Sequence, residues 1–471
     1  MAFSNEIITN SGVTFGTSGA RGLVEDFKPE VCAAFAISFA HVMQQETSLD
    51  KFAVAIDNRP SSYQMAQSIA AGLDQLGIKT VYYGVIPTPA LAFYAMQNNM
   101  PCIMVTGSHI PFDRNGLKFY RPEGEITKAD ESAILAAKVE VSSIDNLPEL
   151  KICSKASDAY VLRNTEAFSS DLLSGKRIGI YEHSSAGRDI YRTIFESLGA
   201  EVISLGRSND FVPIDTEAVS DEDKQKARDW VKEFNLNALF STDGDGDRPL
   251  LSDENGEWLR GDVLGLLCSK MLGIEALATP VSCNTAIEKS DLFKHVERTK
   301  IGSPYVIAEF DWLSSKYKSV AGFEANGGYL LASEVEINGK TLKPLPTRDA
   351  ILPAIILLSQ LNQTCISKLV ADLPSRYTAS DRIKDFAREK SLELIENISS
   401  DPKKWLAKLE INNTLIEVDT TDGFRMLFEN STIVHLRPSG NAPELRCYVE
   451  SDSELKSEQL VNTVLNAISA L

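Results

Sequence analysis

Three aspartates at alternate positions, Asp243, Asp245 and Asp247, spaced by glycines and followed by Arg248, form the strongest chemical signal in the chain. Carboxylates this close repel one another unless a cation neutralises them. Oxygen donors with no cysteine or histidine among them suit a hard ion such as Mg2+. The spacing also fits the start of a calcium EF-hand loop, with Glu254 at its twelfth position. That loop needs glycine at its sixth position, where this chain has Arg248, and a long entering helix, where it has the strand-like Ala238-Leu239-Phe240. Mg2+ is the expected ion.

A second stretch, Val105-Thr106-Gly107-Ser108-His109-Ile110-Pro111, places a serine just after the apolar run 102–105, which reads as a buried strand. α/β sheets bind their ligands at the carboxyl ends of such strands. A serine hydroxyl is a weak nucleophile and needs a base, a metal or a pre-attached group. His109 and Lys118, the latter closing the turn-rich segment 112–118, are the nearby candidates, and the sequence does not choose between them. The serine loop is expected at the surface.

Three further loops carry polar groups suited to anions or sugar hydroxyls, with an ordinary glycine-rich or capped turn the alternative in each. Around Arg21, the segment 14–22 holds glycines and hydroxyls that can present N–H groups and a guanidinium to an anion. Glu324 and Asn326, in a glycine-rich loop, offer a bidentate acceptor and an amide. Arg437, Ser439, Gly440, Asn441 and Arg446 combine guanidinium forks, a hydroxyl and an amide around a rigid turn that matches phosphate oxygens. Lys300, before Ile301 and Gly302, is a further substrate-binding candidate.

These loops need a frame. At 471 residues the chain exceeds one core, and ordinary domain sizes imply roughly three or four domains. A net charge of −18 argues against nucleic acid and anionic membranes as partners. The first ten residues show no signal peptide, the apolar run 351–361 is too short to span a bilayer, and the seven cysteines form no C-x-x-C pair. A soluble cytoplasmic protein is expected.

Strands at 52–56, 80–83 and 102–105 alternate with helices at 62–76 and 89–97, which predicts a β-α-β-α-β unit with a largely parallel sheet. The pattern restarts with a strand at 177–181, a helix from 185, a strand at 201–205, a helix at 220–234 and the strand leading to Asp243. A third round starts with Asp262 as the helix cap. It continues through strands at 280–282 and 296–299 and a helix at 304–316 to the Glu324 loop. From 384 a helix and short alternating strands at 414–418, 425–428, 432–436 and 445–449 predict a separate α+β domain.

Four stretches, Thr106 to Pro111, Asp243 to Arg248, Gly322 to Gly328 and Arg437 to Arg446, resemble in order and interval the signature loops of the α-D-phosphohexomutase superfamily. The segment 16–22 is similar to that family's N-terminal arginine loop. The resemblance spans essentially the whole chain. It implies an α/β fold of four domains around a central cleft, three similar with mixed, mostly parallel sheets and a C-terminal α+β domain, divided at 1–153, 154–256, 257–370 and 371–471. It also implies a phosphohexomutase working through a phosphoserine at Ser108 and a bisphosphorylated sugar. Asp243, Asp245 and Asp247 would hold Mg2+ with Ser108, Glu324 and Asn326 would contact the sugar, and Arg437 to Arg446 would clamp phosphate. Arg21, Lys118 and Arg248 would neutralise charge on the moving phosphoryl group.

A hexose 1,6-bisphosphate is the implied activator, and sugar phosphates are the partners of an expected monomer or weak homo-oligomer. The chain departs from the family's usual loops at Gly107, Ile110, Asn326 and Asn441, where alanine, asparagine, serine and threonine are customary. The sugar loop separates the mannose, glucose and glucosamine subfamilies. Mannose phosphate is the expected substrate with glucose phosphate also accepted, against a phosphoglucosamine mutase or a phosphoserine-dependent phosphatase. A sugar-phosphate sensor has no use for a serine beside a metal loop, and a serine hydrolase needs a second glycine after Ser108.

Overall fold

Apolar runs without polar alternation form strands buried on both faces. In the computed structural model, which describes residues 2–16, 18–439 and 443–470, Lys51–Ile56 and Cys102–Val105 are such strands, buried from Phe52 to Ile56 and throughout the second. They pair in parallel, and Lys51–Ile56 also pairs in parallel with Lys79–Val85. Helices Ser62–Gln75 and Thr88–Gln97 make the crossovers. Contacts group the described chain into two units, one of residues up to 273 with 326–367, the other of 274–325 with those from 368 onward.

In the first unit the sheet extends beyond its parallel core. Arg114–Arg121, whose residues up to 118 fall in the segment 112–118 expected to be turn-rich, is a strand lying antiparallel to Cys102–Val105, with Met104 opposite Lys118. Ala20–Leu23 pairs with it in turn, Arg21 opposite Gly116. Asp113, Asn115 and Gly116, ordinary turn formers, mask the start of Arg114–Arg121 in the sequence. Helix Pro29–Gln44, not foreseen from the sequence, is buried around most of its circumference and packs on Ser62–Gln75. A helix without a polar face leaves no amphipathic period to read.

A second sheet places Arg177–Tyr181 between parallel Glu201–Leu205 and Ala238–Thr242, with antiparallel Pro249–Leu251 at the edge. The Ser220 hydroxyl caps helix Asp221–Phe234 by accepting from Asp223 N, and Asn235 ends it at φ 50°. The helix expected from Ser185 begins at Arg188, since Ser185 Oγ pairs with Thr242 Oγ1 at 2.8 Å and accepts from Gly187 N. Arg260, not Asp262, occupies the cap position of helix Gly261–Met271, and Asp262 sits buried in its first turn, where the helix dipole favours a carboxylate. Helix Ile351–Leu358 is wholly buried, as its composition predicts, and packs on Gly261–Met271.

In the second unit Ala276–Pro280 lies parallel between His295–Thr299 and Val320–Phe323. The strand expected to start at Pro280 ends there instead; proline donates no ladder hydrogen bond. The helix expected at 304–316 is two short ones, Ser303–Ile307 and Phe310–Ser314. The C-terminal region is an antiparallel sheet ordered Tyr377–Ile383, Leu445–Ser451, Ile433–Pro438, Phe424–Phe428, Leu415–Asp419, with helices Arg388–Ser400 and Glu454–Ser469. Its first strand and last helix were not foreseen. All seven cysteines are free thiols, and no described helix is long and apolar enough to cross a membrane.

One buried ion pair ties the first unit together. On helix Lys155–Glu166, Arg163 Nη1 donates to Asp349 Oδ2 at 3.0 Å and Tyr160 donates to Oδ1, with both charged side chains essentially inaccessible. Asp349→Ala leaves a buried guanidinium unpaired and should cost about 3–5 kcal/mol, read as a lower urea midpoint. A change under about 1 kcal/mol would show the pair to be solvated.

Candidate active site

The serine loop springs from the end of Cys102–Val105. Thr106 Oγ1 accepts from Ser108 N at 2.8 Å and donates to Asp57 Oδ2 at 2.8 Å, so the turn is pinned to the end of the neighbouring strand. Ser108 adopts φ 54°, a region that non-glycine residues enter only when their surroundings impose it. The expected surface position is not found: Ser108 is fully buried. Its hydroxyl donates to Asp243 Oδ2 at 2.6 Å, and His109 Nδ1 lies 3.3 Å from Ser108 Oγ.

Asp243 begins the turn between Ala238–Thr242 and Pro249–Leu251. Asp243 N donates to Arg248 O, while its Oδ1 accepts from the backbone N–H groups of Asp247 and Arg248 at 3.3 Å. Gly244 is required by packing, since a Cβ there would lie 2.8 Å from Ser108 O. The two loops touch through glycine. Ligand atoms of Asp243, Asp245 and Asp247 lie within 4.8 Å of one another, and all three residues are buried.

Cations surround the triad. Lys118 Nζ, reaching from Arg114–Arg121, donates to Asp245 Oδ2 at 2.5 Å and Asp247 Oδ2 at 2.6 Å. Arg348 Nε donates to Asp247 Oδ2 at 3.0 Å, and Arg248 Nη1 stands 2.9 Å from His109 Nδ1. Thr88 Oγ1 adds a 2.5 Å hydrogen bond to Asp245 Oδ2. Arg21 is half-buried near Arg248, Asp245, Arg348 and Asp247, and its Nη1 has no hydrogen-bond partner among the described residues.

These cations do not balance the site evenly. Burial, then repulsion from Asp245 and Asp247, pushes the Asp243 carboxyl well above the usual carboxylate range. Burial acts on Asp247 in the same direction, but Arg348, Lys118 and Arg248 outweigh it and hold that carboxyl below its ordinary value. Burial, then the neighbouring Arg248, brings Arg21 down to about 10. Asp245 Oδ1 and Asp247 Oδ1 are buried with no hydrogen-bond partner among the described residues. Clustered hard oxygens, two of them orphaned, are what a metal ion requires. The triad can hold one.

Asn326 also belongs to the first unit: its Oδ1 accepts from Gly328 N at 3.0 Å, and its carbonyl accepts from Thr216 Oγ1 at 2.8 Å. The remaining candidates lie in the second unit. Glu324 is buried just past Val320–Phe323, whose last carbonyl is held by Thr279 Oγ1 at 3.0 Å. Lys300 Nζ stands 5.9 Å from the Tyr305 ring, and the next residue's N–H donates to Asp422 Oδ2, which also accepts Arg437 Nε at 2.9 Å. Arg446 lies directly opposite Arg437 on one neighbouring strand and opposite Arg382 on the other. Like charges in facing positions destabilise a sheet, and here Glu444 offsets Arg382 and Arg446 while Asp422 offsets Arg437. Ser439 is buried, its N–H bonded to Glu444 O at 2.8 Å. Gly440 and Asn441 lie outside the described residues.

Three contributors were missed by the sequence. Arg59 and Thr88 both follow strand ends, a signal available but insufficient without partners. Arg348, in Leu345–Asp349, carried no signal, because only tertiary pairing brings it to Asp247.

Residues 12–143, 158–256 and 260–377 match the phosphoglucomutase/phosphomannomutase α/β/α domains I, II and III, and 389–467 match the C-terminal domain of that family. The chain is 59% identical to a phosphomannomutase of Salmonella muenchen over 467 residues, covering 99% of this chain and 97% of that one. It is 27% identical to a phosphoglucosamine mutase of Nautilia profundicola, covering 95% and 97%. A crystal structure of a phosphoglucomutase/phosphomannomutase family protein from Burkholderia thailandensis shares the fold at a TM-score of 0.77 and 19% identity, over 100% and 98% of the two chains.

A histidine hydrogen-bonded to the strand feeding the triad adds an acid sensitivity. His183, buried at φ 29°, donates from Nε2 to Thr242 O at 2.9 Å, and burial lowers its pKa to about 4. With a folded value below the unfolded 6.5, the unfolded chain takes up the proton first, so stability is full above about pH 6.5 and falls towards pH 4. The loss should approach about 3 kcal/mol. Thermal midpoints from pH 7 to 4.5 should fall less steeply in His183→Gln, and parallel slopes would contradict this.

Proposed function

The chain belongs to the phosphoglucomutase/phosphomannomutase family, and on that footing we propose that it interconverts hexose 6-phosphate and hexose 1-phosphate through a phosphoserine at Ser108. The observation that carries the reading is the 2.6 Å hydrogen bond from Ser108 Oγ to a triad of buried carboxylates with orphaned oxygens. The all-oxygen donor set fits Mg2+, held by Asp243, Asp245 and Asp247 with an oxygen at Ser108; the ion would supply charge neutralisation at the phosphoryl group. On this reading the domains run 1–153, 154–256, 257–370 and 371–471.

The residues then divide the work. Ser108 gives its phosphoryl group to a sugar hydroxyl and recovers one from the other end of the bisphosphorylated sugar. As the Oγ–phosphorus bond breaks, Lys118 supplies the proton to Oγ, and the proton shed by the attacking hydroxyl restores the ammonium. Lys118 spends two of its three N–H bonds on Asp245 and Asp247. His109 is less suited, because its Nδ1 faces the permanently charged Arg248 at 2.9 Å. Arg21 and Arg248 stabilise charge in flight. Arg437, Ser439, Gly440, Asn441 and Arg446, with Lys300, bind the stationary phosphate, and Glu324 and Asn326 grip the sugar. A trace of hexose 1,6-bisphosphate would keep Ser108 phosphorylated, and the setting is the cytoplasm.

Mannose phosphate is the preferred substrate, as the 59% identity to a phosphomannomutase supports, with glucose phosphate also accepted. The two sugars differ only at carbon 2, whereas glucosamine brings an ammonium there that the amide of Asn326 does not counter. The test is kcat/KM for mannose, glucose and glucosamine phosphates with a trace of the matching bisphosphate, in wild type and Glu324→Gln. Glu324→Gln should slow mannose and glucose phosphates by similar factors, roughly tenfold or more, since a charge-assisted bond contributes about 1.5–3 kcal/mol. A wild type preferring glucosamine phosphate, or releasing stoichiometric inorganic phosphate, would overturn the assignment.

A further inference from the structure

The turn Asp57-Asn58-Arg59 follows strand Lys51–Ile56, next to the strand that delivers Ser108. Arg59 is 2% exposed, and every one of its guanidinium N–H groups has a partner. Nε donates to Asp57 Oδ2 at 3.2 Å. Nη1 donates to the carbonyls of Pro111 at 2.7 Å and Arg114 at 2.9 Å, and Nη2 to those of Ser108 at 2.9 Å and Ile110 at 2.6 Å. Four carbonyls of one short loop thus converge on one planar fork. The same guanidinium fills the space beside Gly107, where a Cβ would lie 2.6 Å from its Cζ.

The turn also reaches the carboxylate side. Asn58 Nδ2 donates to the carbonyls of Ser184 and Ser185, and Ala186 N donates to Gly244 O at 2.9 Å. The Phe211 ring lies 3.9 Å from Arg59 Cζ, and a Cβ on Gly244 would meet that ring at 3.0 Å. Arg59 is therefore held between the serine loop and the loop of the three aspartates.

We infer that Arg59 is a positioning residue, whose guanidinium clamps the serine loop so that Ser108 keeps its left-handed conformation and presents Oγ to Asp243. The inference rests on the reading of Ser108 as the phosphoryl carrier. Arg59 touches no reacting atom; it acts by fixing the carbonyls around one. Lysine keeps the charge but offers three donors from one point instead of a planar fork, so it cannot hold four carbonyls spread along a loop. A misplacement of about 1 Å at a reacting group commonly costs about a hundredfold in rate.

The experiment compares wild type, Arg59→Lys and Arg59→Ala by circular dichroism, by kcat and KM for mannose phosphate, and by Ser108 phosphate content from intact mass. Arg59→Lys should fold, lose roughly a hundredfold in kcat and change KM by less than about threefold. Millimolar guanidinium should restore part of the kcat of Arg59→Ala, and equal methylammonium should not. A folded Arg59→Lys with kcat within about threefold of wild type overturns the inference while leaving the phosphoserine reading intact. Loss of the folded state in both variants also overturns it, in favour of a role in folding alone. A wild type that turns over no hexose phosphate and carries no phosphate on Ser108 overturns both.

Discussion

The structure turns on the cost of burying Asp243, Asp245 and Asp247 together beside a serine hydroxyl. Three carboxylates within 4.8 Å of one another cannot all stay ionised in a dry site without positive charge close by. Lys118, Arg348 and Arg248 supply part of it, unevenly: Asp247 is held ionised, while Asp243, the residue that meets Ser108, is driven towards its neutral form. The orphaned Oδ1 atoms of Asp245 and Asp247 mark where compensation is incomplete. A divalent cation resolves both features at once.

Much of the first unit can be seen as the means of bringing those charges together. Parallel strands in two mixed sheets end at the loops of Ser108 and Asp243, and close approach of Gly244 to Ser108 O lets the loops meet without a side chain between them. Lys118 comes from the antiparallel strand beside Cys102–Val105, one residue pair below the end from which the serine loop starts. Arg348 comes from Leu345–Asp349, next to the Asp349 that anchors Arg163. One strand end thus serves both the site's electrostatics and the unit's cohesion.

The parallel strands, their crossover helices and the clustering of the three aspartates were legible because each obeys a local rule: apolar runs bounded by turn residues, and alternate carboxylates in one glycine-spaced turn. What escaped did so for identifiable reasons. The start of Arg114–Arg121 read as a turn because Asp113, Asn115 and Gly116 are ordinary turn formers. Pro29–Gln44 has no polar face, and the two short helices within 304–316 are divided at residues 308–309, where no glycine or proline announces the break. The burial of Ser108 was also invisible, since a strand-end loop says nothing about what folds over it. Arg59 stood in plain view after a strand end, yet its role depends on four carbonyls that only the folded loop brings within reach.

The central claim, that the triad exists to serve a phosphate on Ser108, is tested most directly by mapping phosphate onto peptides by mass spectrometry. Wild type and Asp245→Asn would be incubated with mannose 1,6-bisphosphate and Mg2+, then with mannose 6-phosphate. The account predicts a single phosphate on the Ser108 peptide of the wild type, discharged by the monophosphate, and little labelling in Asp245→Asn or when the metal is chelated. Phosphate on another residue, or equal labelling of Ser108 with the metal chelated, would contradict it.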